Sequence, residues 1–216
     1  MKSHYTQLAN GSYKSNHFAK PEDIYYNEYW SPKMNHSTIY EQVGNVLDKN
    51  VLVKKALTKI EPKKVLEIAC APGILLGDLS SEFKCTGIEI DERYKNDIQY
   101  LAQSADLHFG FFPEITGNWE SEQFSNIIAL DVIEHIEDGE GFIEECNRLL
   151  VEGGRLIIQA PMILEDGQME EHMFHEIEHI WIYNIEHMKE MLIQSGFTIV
   201  SVDRWKVGHE QIVAQK

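Results

Sequence analysis

From about residue 64 onward the chain alternates short apolar runs with amphipathic stretches, and this alternation restricts its fold more than any other feature. The runs KVLEIA, TGIEI, LHFGFF, NIIAL and RLIIQA are too short for helices. Between them ILLGDLSSEF, ERYKNDIQYLAQ and GEGFIEECNRLL carry apolar residues at three- and four-residue spacing, the period of a helix buried on one side. That order predicts an α/β protein, a mostly parallel sheet with helices on both faces. After the fifth run comes a polar stretch, ILEDGQMEEHMFHEIEH, then a helix from near Asn184 to the stop signal Ser195-Gly196. Two last runs, TIVSVDRW and EQIVAQK, are separated only by a turn from Lys206 to His209 and read as a hairpin. The count is seven strands, with the last one antiparallel between its neighbours. Asp91, just after TGIEI, is placed to cap the helix that follows.

A chain of 216 residues fits one domain around one core. Within it, residues 1–60 form a polar, aromatic segment to Ser37 followed by a helical stretch, and residues 61–216 hold the alternating pattern. The net charge of -16, from 35 acidic and 19 basic residues, disfavours nucleic acid, whose binding requires Lys and Arg to displace counterions. No stretch reaches the roughly 18 apolar residues that span a bilayer, and the start has no signal-peptide core, so a soluble protein is expected. Cys70, Cys85 and Cys146 are too scattered for a disulfide framework and form no CxxC pair, which points to a reducing cytoplasm.

The chemistry concentrates at VLEIACAPG, residues 65–73, an apolar strand running into a small-residue turn and then a helix. Small side chains let a ligand approach the backbone, and the helix N-terminus offers free N–H donors. Glu89 ends the next strand about 20 residues beyond the turn, where a carboxylate can accept hydrogen bonds from ribose hydroxyls. Together with FSNIIALDVIEHIED, LLVEGGRLIIQAP and the helix ending QSGF, these segments resemble class I S-adenosylmethionine-dependent methyltransferases, and more closely the group that includes ubiquinone-pathway O-methyltransferases. The resemblance implies a Rossmann-like seven-stranded methyltransferase fold. It assigns Glu67 and the turn Ala69, Ala71 and Gly73 to the methionine part of the cofactor, Glu89 to its ribose, and Leu130 and Asp131 to the flanks of the sulfonium. The chain departs from the family at Ala69 and Ala71, where glycine is more frequent, and at the third strand, where Phe111 and Phe112 stand in place of an acidic residue. Phe111 is the expected adenine contact.

Methyl transfer to a hydroxyl requires alignment and removal of a proton. Asp131, Glu134, His135, His175 and His179 fall beyond the fourth and fifth strands, and Asp131, His135 and His179 are the catalytic candidates. Asp131, Glu134, His135 and His179 also resemble the two-carboxylate, two-histidine metal site of small-RNA 3'-terminal 2'-O-methyltransferases, which implies Mg or Mn. Each of these residues equally admits a packing or capping role. The acidic run with Glu170, Glu171, His172 and Glu176 reads as a solvated loop, and Cys70 as a packing residue. Tyr25, Tyr26, Tyr29, Trp30 and His36 precede the fold either as a lid over an acceptor pocket or as a patch packed on the core. The expected partner is a small polar or sugar-like acceptor. A nicotinamide-dependent dehydrogenase shares the turn and the ribose carboxylate, and a non-catalytic cofactor-binding protein shares the fold; both remain open at this point.

Overall fold

The computed structural model describes residues 4–16, 50–164, 166–169, 174, 179–206 and 208–216. In chain order the strands are β1 (Tyr5–Gln7), β2 (Tyr13–Ser15), β3 (Lys64–Ile68), β4 (Lys84–Glu89), β5 (Asp106–Phe109), β6 (Phe124–Leu130), β7 (Leu150–Ile163), β8 (Trp181–Asn184), β9 (Thr198–Lys206) and β10 (His209–Gln215). The helices are α1 (50–56), α2 (Ile74–Leu79), α3 (Lys95–Leu101), α4 (Gly139–Leu149) and α5 (Ile185–Gln194).

The seven expected strands lie in the order β5-β4-β3-β6-β7-β10-β9. Strands β3 to β7 pair in parallel, and β10 sits between β7 and β9, antiparallel to both. Successive side chains of a strand point to opposite faces, and here both faces are apolar. Val65, Ile128, Ile157 and Val213 pack with Val53, Leu76 and Ile98 from α1, α2 and α3. Their neighbours Leu66, Ile127, Ile158 and Ile212 pack with Phe142, Cys146, Met188 and Leu192 from α4 and α5. A strand buried on both sides reads as a continuous apolar run, which is why these strands were legible.

Side-chain caps set the helix starts. Asn184 accepts from Glu186 N at 2.9 Å to open α5, and Asp138 accepts from Gly141 N at 2.9 Å to open α4. Asp91 accepts from Arg93 N at 2.9 Å and starts the single turn Glu92–Tyr94 that leads into α3. Gly87 in β4 has no room for a side chain, because a Cβ would lie 2.7 Å from both Cys70 Sγ and Leu76 Cδ1, beneath the turn after β3.

Three strands were not expected. The 14-residue β7 outruns its partner β10, and its end pairs in parallel with β8 through Met162 and Ile163. The hairpin of β1 and β2 then adds antiparallel to β8. Residues 4–16 thus belong to the sheet, with Tyr5, Ile163, Phe174 and Ile182 forming a small core of their own. The aromatic segment with Tyr25, Tyr26, Tyr29, Trp30 and His36 lies outside the described residues. Among the described residues no helix is long and apolar enough to cross a membrane.

Candidate active site

At the end of β3 the chain enters a left-handed turn. Ala69 takes φ 57° and Gly73, which caps α2, takes φ 98°. For alanine that conformation costs about 1–2 kcal/mol, so the position where glycine was expected is held by its surroundings. Cys70 N donates to Ile88 O at 3.1 Å, and Ala71 N donates to Glu89 Oε2 at 3.1 Å. Ala71 itself keeps a negative φ, so alanine is accommodated there without strain.

Glu89 ties this turn to β4. Its Oε1 accepts from Ile90 N at 2.9 Å and Asp91 N at 3.0 Å, so three backbone donors share a carboxylate with about four acceptor positions. Oε2 keeps room for a further donor such as a ribose hydroxyl. Burial raises the pKa of this carboxyl, and the three amides oppose that shift. Glu67, 8% exposed on the neighbouring strand, has a buried Oε2 with no hydrogen-bond partner among the described residues. Burial first, and the neighbouring Glu89 second, push its pKa well above the usual carboxylate range. The stability this carboxyl contributes is present below that range and is lost as pH rises through the raised pKa. A cationic ligand beside it would reverse the sign. The Leu76 backbone N–H opposes the rise in pKa, and the remaining oxygen fits the ammonium of an amino-acid ligand. Cys70 is buried, and desolvation followed by the charges of Glu67 and Glu89 keeps its thiol protonated, in line with a packing role.

Between the ends of β3, β4, β5 and β6 lies a cleft of ≈ 90 Å³. Ile68, Ala69, Ile88 and Ile90 form one side, Gly110, Phe111 and Phe112 a second, and Asp131, Val132, His135 and Ile136 the third. Phe112 is anchored edge-to-face on Phe142 at 4.9 Å, which leaves the half-buried Phe111 as the ring available to a ligand. Ile90 and Gly110 belong to the cleft and were not anticipated; their only sequence signal is adjacency to Glu89 and Phe111.

Leu130 ends β6 beside this cleft, and Asp131 follows with φ 55°. Asp131 N donates to Gln159 O at 2.8 Å and its Oδ1 accepts from Gln159 Nε2 at 3.1 Å. His209, the first residue of β10, brings Nδ1 to 3.9 Å from the same Oδ1. Sequence reasoning missed both Gln159 and His209. A single turn, Ile133–His135, comes next and presents Glu134 and His135.

His179 arrives just before β8, held by Tyr5 Oη donating to His179 O at 3.1 Å and by Ile180 N donating to Glu134 O at 2.8 Å. One donor atom each from Glu134, His135 and His179 lie within 4.8 Å of one another, and the two imidazoles meet edge-to-face at 5.0 Å. Asp131 is not in this group. The helical turn assumed to begin at Asp131 begins at Ile133 instead, and the left-handed φ turns its carboxylate toward Gln159 and His209. Glu170, Glu171, His172, His175 and Glu176 lie outside the described residues.

The methyltransferase-domain family profile matches residues 41–202, three quarters of the chain. This chain belongs to the S-adenosylmethionine-dependent methyltransferase family. A ubiquinone biosynthesis O-methyltransferase of Caulobacter sp. (strain K31) is 26% identical to the methyltransferase over 105 residues, 47% of this chain and 42% of that relative. The match therefore spans less than half the relative's length. Among solved structures, a SAM-dependent methyltransferase from Archaeoglobus fulgidus superposes with a TM-score of 0.67 at 14% identity, over 84% of this chain and 100% of that one. One from Mesorhizobium loti gives 0.66 at 10% identity, over 78% and 98%. The [4+2]-cyclase SpnF gives 0.64 at 15% identity, over 81% of each chain. At such identities the likeness speaks for the fold. The methyltransferase profile sets the nicotinamide-dependent reading aside.

Proposed function

We propose that this methyltransferase transfers a methyl group from S-adenosylmethionine to a hydroxyl oxygen of a small polar or sugar-like metabolite in the cytoplasm. The observation that carries the reading is the placement of Asp131 and His135 on the wall of the cleft, with His179 packed against His135 and the carboxylates of Glu67 and Glu89 near the ends of β3 and β4. When bound, S-adenosylmethionine supplies a methyl on a positively charged sulfur. Glu67 would hold its ammonium, Glu89 would accept from the ribose, Phe111 would stack on the adenine, and Leu130 and Asp131 would border the sulfonium. The acceptor oxygen bonds to the methyl carbon as the carbon–sulfur bond breaks, and its proton passes to Asp131 or to the imidazole of His135 or His179. An acidic chain with carboxylates at this end favours a neutral small acceptor over nucleic acid.

Glu134, His135 and His179 fit a divalent cation: one carboxylate and two imidazoles within reach of one point suit Mn, and Mg less well. Such an ion would supply Lewis acidity at the acceptor hydroxyl. The reducing compartment rests on three free, buried cysteines.

Because one structural relative carries the name of a cyclase, the test reads transfer itself. Incubated with methyl-labelled S-adenosylmethionine and a small-molecule extract, the enzyme should place label in ether linkage on low-mass products. Asp131→Asn should cut kcat by roughly 10²-fold or more while leaving cofactor affinity near wild type. Label appearing on protein or nucleic acid would refute the acceptor class, and an active Asp131→Asn would remove Asp131 from the chemistry.

A further inference from the structure

Strands β7 and β10 carry a pair of glutamines that the assignments above leave almost unused. Gln211 stands directly across from Gln159, and both are buried, at 1% and 0% exposure. By the pleat, Gln159 shares a face with Ile157 and Gln211 with Val213, the face covered by α1 to α3. The two amides do not bond each other. Gln159 gives its Nε2 to Asp131, while among the described residues its Oε1 has no partner and neither Oε1 nor Nε2 of Gln211 has one.

The same sheet shows how a buried amide is treated when its role is structural. Asn126 in β6 accepts from Thr58 N at 2.8 Å and donates to Thr58 O at 2.9 Å. Glu210, on the opposite pleat of β10, accepts from Arg204 Nε at 2.9 Å. Three unsatisfied amide atoms side by side are expensive in a folded interior, where buried polar groups are nearly always paired. They stand one hydrogen bond away from Asp131, at the end of the cofactor cleft, with His209 two residues along β10.

We propose that Gln159 and Gln211 form the wall that recognises the methyl acceptor, and that this acceptor is a neutral molecule bearing adjacent hydroxyls. The inference rests on the methyl-transfer reading and names its substrate class. A primary amide donates and accepts, as a hydroxyl does, so two facing amides match a vicinal diol at both ends. The Asp131 carboxylate, bonded to one of them, disfavours a phosphate or carboxylate ligand in the same place. Gln211 binds the acceptor alone; Gln159 also fixes the orientation of Asp131.

Gln211→Met, close in shape and without the amide, provides the test. If the amide serves a ligand, the ligand-free variant should melt higher than wild type by about 2–4 °C, since an unsatisfied polar group has been removed. With S-adenosylhomocysteine added, ligand-observed NMR against ribose, myo-inositol and glycerol should show binding to wild type, at least tenfold weaker in the variant. In turnover the variant should raise KM and keep kcat. A lower melting temperature would make Gln211 structural and overturn the inference. So would equal binding by the two proteins, or preference for ribose 5-phosphate over ribose. The melting readout needs no cofactor, so a wild type that failed to bind S-adenosylhomocysteine would remove the methyl-transfer reading while a stabilised variant still supported a ligand wall.

Discussion

Replacing Glu89 with alanine is expected to weaken S-adenosylmethionine binding by roughly ten- to a hundredfold, the loss that follows when a charge-assisted hydrogen bond to a buried hydroxyl disappears. The structure adds a second reason. Glu89 is the acceptor for Ala71 N, Ile90 N and Asp91 N, so its removal also frees the turn after β3. Glutamine is no conservative substitute, because one of the two carboxylate oxygens would become an N–H donor facing a backbone N–H. Glu89→Gln should therefore bind poorly as well, with calorimetry as the readout and a melting curve to establish that each variant is folded. Unchanged affinity in a folded Glu89→Ala would take Glu89 out of the site.

The larger effect is expected at the histidines. If Glu134, His135 and His179 hold a divalent ion that the reaction uses, a chelator should lower turnover by roughly 10²-fold or more, the scale on which a Lewis acid stabilises developing charge. Mn or Mg should restore it. His135→Ala and His179→Ala should each abolish the rescue, since the remaining two ligands bind too weakly. Asp131→Asn should retain the metal requirement at its reduced rate, because its carboxylate is turned to Gln159 and His209 rather than to the three ligands. Full turnover in a chelator would leave Asp131 and His135 as a metal-free base pair or as structure.

What the sequence made legible was local. Strands buried on both faces gave themselves away as apolar runs, and Asp91 and Asn184 capped where their positions implied. Glu89 lies beside the turn after β3 because a βαβ unit fixes the distance from that turn to the end of the next strand. What escaped depends on pairing at long range. Gln159 and Gln211 are 52 residues apart (211 minus 159) and meet only because β10 inserts antiparallel beside β7; an amide within an apolar run carries no mark of its partner. His209 looked like part of a turn and proved to be the first residue of a strand. The small sheet of β1, β2 and β8 was hidden for a similar reason, since its strands are only three or four residues long and borrow their partner from the overhang of β7. Glu134, His135 and His179 do lie near one another, whereas Asp131, grouped with them by spacing, points elsewhere. A single left-handed φ, which residue spacing does not encode, separates it from them.

Titration of the wild-type chain tests most directly whether the cleft over β3 to β6 binds S-adenosylmethionine. S-adenosylmethionine and S-adenosylhomocysteine should each saturate one site per chain and displace one another, and NADH should bind to neither free nor loaded protein. Binding of NADH, with no saturable heat from either adenosyl compound, would contradict the account.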